Sequence, residues 1–195
     1  MGTGSGNKSL DQLIPAQGLA DTHAKVMNDL LSVRVAQVID ASLGAYAAGD
    51  VVGADDCCTT LAITWRFLVA NRPGGWFRIH QALLVNDTEN QTVQYDLLLF
   101  NAIPTGELRD NAANTNPVKG DRAKFLGKIT FPFSIAGGAT VATTSEATPT
   151  TAGRLPKLVK CGKGDQYIYG VLVTNTVYTQ TATDPINITL TGEQL

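Results

Sequence analysis

TTLAITWRFLVA (residues 59–70), NRPGG (71–75), WFRIHQALLV (76–85), NDTEN (86–90) and TVQYDLLLF (92–100) decide the fold class. Leu61, Ile63, Trp65 and Phe67 recur at every second position, the period of a strand with one apolar face. Asn71-Arg72-Pro73-Gly74-Gly75 is turn chemistry, so the first two runs predict a β-hairpin. A second turn at 86–90 and the apolar run after it extend that hairpin to a three-stranded meander.

The same texture continues in both directions. Upstream, Val33, Val35 and Val38 mark a strand over 33–41, and a Gly- and Asp-bearing loop follows at 44–56. Downstream, residues 101–119 form a long polar loop with Pro104 and Pro117. Residues 125–134 form a strand whose Pro132 predicts a sheet edge or bulge. Residues 137–154 are low in complexity, with one short strand at 140–144. Strands at 158–161, 167–174 and 186–191 close the chain.

About nine strands against a single short helix make the protein all-β. No helical pattern separates the strands, which disfavours a parallel α/β sheet. Long connections between strand groups favour Greek-key winding. The expected architecture is therefore a jelly-roll-like antiparallel β-sandwich over residues 32–195, preceded by an N-terminal arm, residues 1–31. Within the arm, residues 19–31 predict one short helix. Asp21 or Thr22 would cap it, and Val26, Met27, Leu30 and Leu31 would share a face.

Composition narrows the function. The chain has 195 residues, 44% of them hydrophobic, enough for a core without disulfide or metal. Only 16% are charged and the net charge is −2, so the basic footprint of a nucleic-acid binder is missing. No run reaches the roughly 18 apolar residues of a membrane helix, and residues 1–9 lack the apolar core of a signal peptide. Neither nucleic acid nor membrane is an expected partner. Cys57 and Cys58 are adjacent, so a strand would turn them to opposite faces. With Cys161 they are read as free thiols of a reducing compartment.

Each candidate for chemistry falls to a structural reading. His23 and His80 have no partner motif, and alternation sets His80 on the face opposite Phe77 and Ile79. Neither a G-x-S-x-G nucleophile elbow nor zinc-ligand spacing occurs. Gly2-Thr3-Gly4-Ser5-Gly6 follows no strand and opens no helix, unlike a phosphate loop. Gly162-Lys163-Gly164-Asp165 reads as a hairpin turn. Asp110-Asn111 and Asp121 match no calcium loop and read as solvated loop acids. Asn86, Asn90 and Asn187 fit the glycosylation pattern by chance in an Asn/Thr-rich chain. No catalytic, cofactor-binding or metal site is expected, and no cofactor.

Three segments carry a resemblance. They are ASLGAYAAGDVV (41–52); residues 79–105, ending in YDLLLFNAIPT, with Asp110-Asn111 shortly after; and Leu155-Pro156-Lys157 followed by YIYGVL (167–172), a Thr-rich stretch and a closing ITLTG (188–192). From about residue 41 onward, this order resembles accessory virion structural proteins of tailed bacteriophages, in particular small β-sandwich head proteins. The resemblance implies a protein without chemistry that decorates or cements the capsid. Its partners would be the major capsid protein and copies of itself, as a dimer or trimer. It would be made in the host cytoplasm and reside on the capsid surface of the virion.

A flexible arm has little reason to keep apolar anchors unless they order on a neighbour. That points to Leu13, Ile14, Val26, Met27 and Leu30 as interface residues. The alternatives are another virion component, such as a tail or fibre-anchoring protein, or a carbohydrate-binding jelly-roll module. For the latter, Trp65 and Trp76 are the candidate aromatics, Trp65 reading as core.

Overall fold

A computed structural model describes residues 30–39, 44–54, 64–138, 141–149, 154–181 and 184–195. The described strands are β1 (Leu30–Val38), β2 (Val51–Val52), β3 (Trp65–Leu68), β4 (Trp76–Glu89), β5 (Tyr95–Phe100), β6 (Phe125–Phe131), β7 (Ile135–Ala136), β8 (Ala142–Ala147), β9 (Lys157–Lys160), β10 (Tyr167–Thr174) and β11 (Pro185–Gln194). Every strand pairing is antiparallel.

They form two sheets. The first runs β1-β11-β4-β8-β7, with β9 taking the same edge of β4 as β8. The second runs β2-β10-β5-β6, with β3 and β2 sharing one edge of β10 as two pieces of a broken strand. The pairs are nested. β5 pairs with β6, β4 outside them with β8, β3 outside those with β10, and the first strand with the last. That is one long antiparallel ribbon wound across two sheets, the winding of a jelly roll. The chain is an all-β jelly-roll sandwich.

The core lies between the sheets. Trp65, Phe67, Leu97, Leu99, Ile129, Phe131, Ile168 and Leu172 enter it from the second sheet. Phe77, Ile79, Leu84, Val159, Ile186, Ile188 and Leu190 enter from the first. Trp65 donates its indole N–H to the Val52 carbonyl at 3.1 Å, which satisfies its one polar atom inside the core.

The second sheet carries another apolar layer on its outer side. Val51, Leu98, Phe100, Leu108, Tyr169, Val171 and Val173 form it, which is why all six residues of β5 are buried. The cover is the connection from β5 to β6, read above as a long polar loop. It contributes Leu108 and Ile103 to this layer. Two carboxylates hold it down. Asp110 accepts the Tyr46 hydroxyl at 2.6 Å and the Gly53 amide at 2.9 Å. Asp121 accepts the Thr105 amide at 2.6 Å and its hydroxyl at 3.0 Å, and pairs with Lys124 at 2.8 Å.

Several expectations are corrected. The runs around β3 and β4 do not form a hairpin, because β3 pairs with β10 and β4 with β11, β8 and β9. β4 and β5 lie in different sheets, so there is no meander. Short turns allow pairing but do not select the partner. The core wins here, by alternating successive strands between two layers. Gly162–Asp165 is a turn, closed by the Asp165 amide on the Gly162 carbonyl at 3.0 Å, but it passes from the first sheet to the second. Asp110 and Asp121 are buried and hydrogen-bonded, not solvated. Leu30 and Leu31 open β1; the rest of the expected helix, and residues 59–63, lie outside the described residues.

Candidate interaction surface

Among the described residues, the outer face of the first sheet has no cover like that on the second. Its side chains can be read in rows across the register. One row runs Leu30 (β1), Glu193 (β11), Arg78 (β4), Leu158 (β9). At sheet spacing, Leu30 and Leu158 stand about 14 Å apart. Beyond it, Trp76 lies beside Lys160, and the Leu195 amide donates to the Trp76 carbonyl at 3.1 Å. Leu30 is 68% exposed, Trp76 41%, Leu158 51% and Leu195 50%. This end of the face is therefore an apolar rim of four large side chains around a polar row.

Paired polar groups fill the middle. Arg78 bonds Glu193 at 2.8 Å, and His80 Nε2 lies 3.4 Å from the same oxygen. Gln81 donates to Glu146 at 2.6 Å, and Arg34 donates twice to the Asn187 side-chain oxygen Oδ1, at 3.2 and 2.8 Å. Such pairs on an exposed face add little stability, but they fix the side chains in place. At the opposite end, Val38 and Ile135 are exposed again, on the two edge strands.

A bulge shapes this face. Ile79 pairs with Gly192 and Gln81 with Thr191, so His80 has no partner across the ladder. Side-chain parity changes there. Phe77 and Ile79 point inward before the bulge, and Ala82 and Leu84 after it. His80 and Gln81 both face outward as a result.

Of the interface residues expected from sequence, Leu30 is the first residue of β1 and sits at the rim. Leu13, Ile14, Val26 and Met27 lie outside the described residues, as do Cys57 and Cys58. The structure adds Leu158 and Leu195, which sequence reasoning missed, and Trp76, which it named only as a candidate for carbohydrate binding. The signal was present, since Trp76 and Leu158 occupy the non-core phase of strands whose inward residues are apolar. Trp65 is fully buried, as read.

The remaining candidates for chemistry are structural. Asn86 is buried, donating to Gln180 at 3.0 Å and to the Tyr95 hydroxyl at 3.3 Å. Tyr46 and Tyr178 stack with ring centres 4.8 Å apart. Burial pushes the Tyr178 hydroxyl well above its ordinary pKa. Cys161 is a buried free thiol pushed up to about 11, by burial first and the nearby Asp165 second. Among the described residues no group of three or more His, Cys, Asp or Glu is placed to hold a metal ion. Nor is any helix there long and apolar enough to cross a membrane.

Compared with protein-family models and with curated proteins, the chain matches none.

Proposed function

We propose that this chain is a non-enzymatic virion structural protein that decorates and stabilises a phage capsid by binding the major capsid protein, as a homo-oligomer. The observation that carries the reading is the asymmetry of the sandwich. One outer face is sealed by the chain's own loop and a second apolar layer, while the other leaves Leu30, Trp76, Leu158 and Leu195 in water. Apolar side chains grouped on an otherwise polar face favour a protein partner. A capsid lattice presents that partner many times, so modest contacts by an oligomer add up to firm attachment. The resemblance to tailed-phage head proteins supplies the identity of the lattice.

Two experiments test it. Density for the chain at lattice positions on the outer surface of intact heads is expected; its absence from particles would refute the reading. The double variant W76S/L158S should keep its melting temperature within a few degrees, because both residues are exposed, yet lose attachment to heads. A chain lacking residues 1–29, which leaves β1 whole, measures what the arm adds. Exposed Trp76 also supports a second reading, carbohydrate binding, which a glycan-array screen would reveal.

A further inference from the structure

Positive charge gathers at the border of the proposed docking face. Residues 154–163 read RLPKLVKCGK, with Arg154, Lys157, Lys160 and Lys163 and no acid, in a chain of net charge −2. Where this segment turns into β10, it borders an open pocket of about 390 Å³. Pro73 and Gly74 from the turn before β4, Asn101 from the end of β5, and Lys160, Lys163 and Gly164 line it.

The electrostatics are one-sided. Two lysines line the pocket and no acidic residue does. Asp165, the nearest acid in sequence, is bound into its own turn, although it still acts electrostatically on Cys161. One oxygen accepts the Gln166 and Tyr167 amides at 2.7 and 3.0 Å, and the other accepts the Tyr169 hydroxyl at 2.7 Å. The Cys161 thiol in the wall stays protonated near neutral pH, so it adds no negative charge. Among the described residues the amides of Lys163 and Gly164 have no hydrogen-bond acceptor. The wall is also held in place. A Cβ on Gly162 would come within 2.5 Å of the Asn101 carbonyl oxygen, so the turn packs directly onto the end of β5. Gly164 sits at φ +88°, a left-handed turn conformation that glycine adopts without strain.

We propose that this pocket binds an oxyanion, the phosphate or carboxylate group of a ligand, between the ammonium groups of Lys160 and Lys163. Lysines are point charges on flexible stems and do not demand the bidentate geometry that arginine does. The volume lies at the small end of ligand sites and exceeds one bare ion. The oxyanion is therefore carried either by a small molecule or by an acidic side chain of a partner. The proposal does not rest on the capsid role, although the site borders the docking face, where the Lys160 ammonium stands 5.0 Å from the centre of the Trp76 ring.

The test is a titration of the full chain, at constant ionic strength, with sodium phosphate and separately with a blocked tetra-aspartate peptide. It is followed by the amide resonances of Lys163 and Gly164. Saturable shifts at these two amides are expected. Preference for phosphate identifies a free ligand, and preference for the peptide a partner side chain. K160Q/K163Q should weaken binding about tenfold or more. K163Q alone should weaken it in the same direction, and R34Q, a charge lost on β1, should leave it unchanged. No saturable shift with either probe would overturn the proposal. So would equal affinity in K163Q and the unaltered chain.

Discussion

Gly192 shows how one residue can hold a strand in register. It pairs with Ile79 at the bulge, where β4 gains His80 as an extra residue against β11. A Cβ at Gly192 would lie 2.0 Å from the Arg78 carbonyl oxygen and 2.8 Å from the Phe77 ring. The first contact is with backbone, which cannot swing aside. Gly192→Ala is expected to cost about 3 kcal/mol, the upper end of ordinary overpacking, measured by urea unfolding. A loss below about 0.5 kcal/mol would show that β11 shifts to accept the methyl group. At this scale the sequence is half legible. Phe77 and Ile79 against Ala82 and Leu84 already display the change of parity that a bulge causes. What hides it is that Ile79-His80-Gln81-Ala82 also fits a straight strand with one misplaced polar residue. Asp110 and Asp121 are less legible still. Their carboxylates bond Tyr46 and Gly53, and Thr105 and Lys124, and the first pair is more than fifty residues away in the chain.

At the level of elements, the loop from β5 to β6 behaves as a third layer, and its internal order is acid-sensitive. Hydrogen bonds from the side chain and the backbone amide of Arg109 to its carboxylate hold Glu107 down from 4.5 to about 2. Burial opposes ionisation of Asp121, but its bonds from Lys124 and Thr105 outweigh that, and its pKa is lowered as well. A carboxylate with a depressed folded pKa stabilises fully above its unfolded pKa and loses that contribution as pH falls through the folded one. The loop should therefore stay closed at neutral pH and loosen progressively from about pH 4.5 toward pH 2. Amide exchange at Thr105, Leu108 and Arg109 should rise in that window before exchange in β4 or β11. Glu107→Gln should flatten part of this dependence; simultaneous exchange everywhere would mean that the loop has no separate opening. The strands themselves are largely legible, since β1, β5, β6, β9, β10 and β11 fall on the apolar runs that mark them. The loop's closure is not. Its buried anchors, Ile103 and Leu108, are two isolated apolar residues in a polar stretch, and isolated residues carry no period.

For the whole molecule, the sequence speaks to class more than to pairing. Alternating apolar runs and long connections indicate a jelly-roll sandwich, while the local turns suggest hairpins and a meander that do not form. The reason is topological. In nested winding the partner of each outer strand lies far along the chain, and β1 pairs with β11 from Leu30 opposite Glu193 to Val38 opposite Pro185. Loop-closure entropy must be met before such contacts reward it, so the order of assembly matters. β11 is not an edge strand. It sits between β1 and β4 and supplies Ile186, Ile188 and Leu190 to the core. Without it, β1 has no sheet partner and one edge of β4 is bare. Burial of three such side chains contributes roughly 5–9 kcal/mol, comparable with the whole stability of a domain this size. A chain ending at residue 184 should therefore fail to fold cooperatively. It should bind a hydrophobic dye at room temperature and give no sharp thermal transition. Adding a peptide of residues 185–195 should restore the transition in a concentration-dependent way, because the missing strand is one contiguous segment that pairs between β1 and β4. A truncated chain that melts as sharply as the full one would show that the first sheet can close β4 directly onto β1.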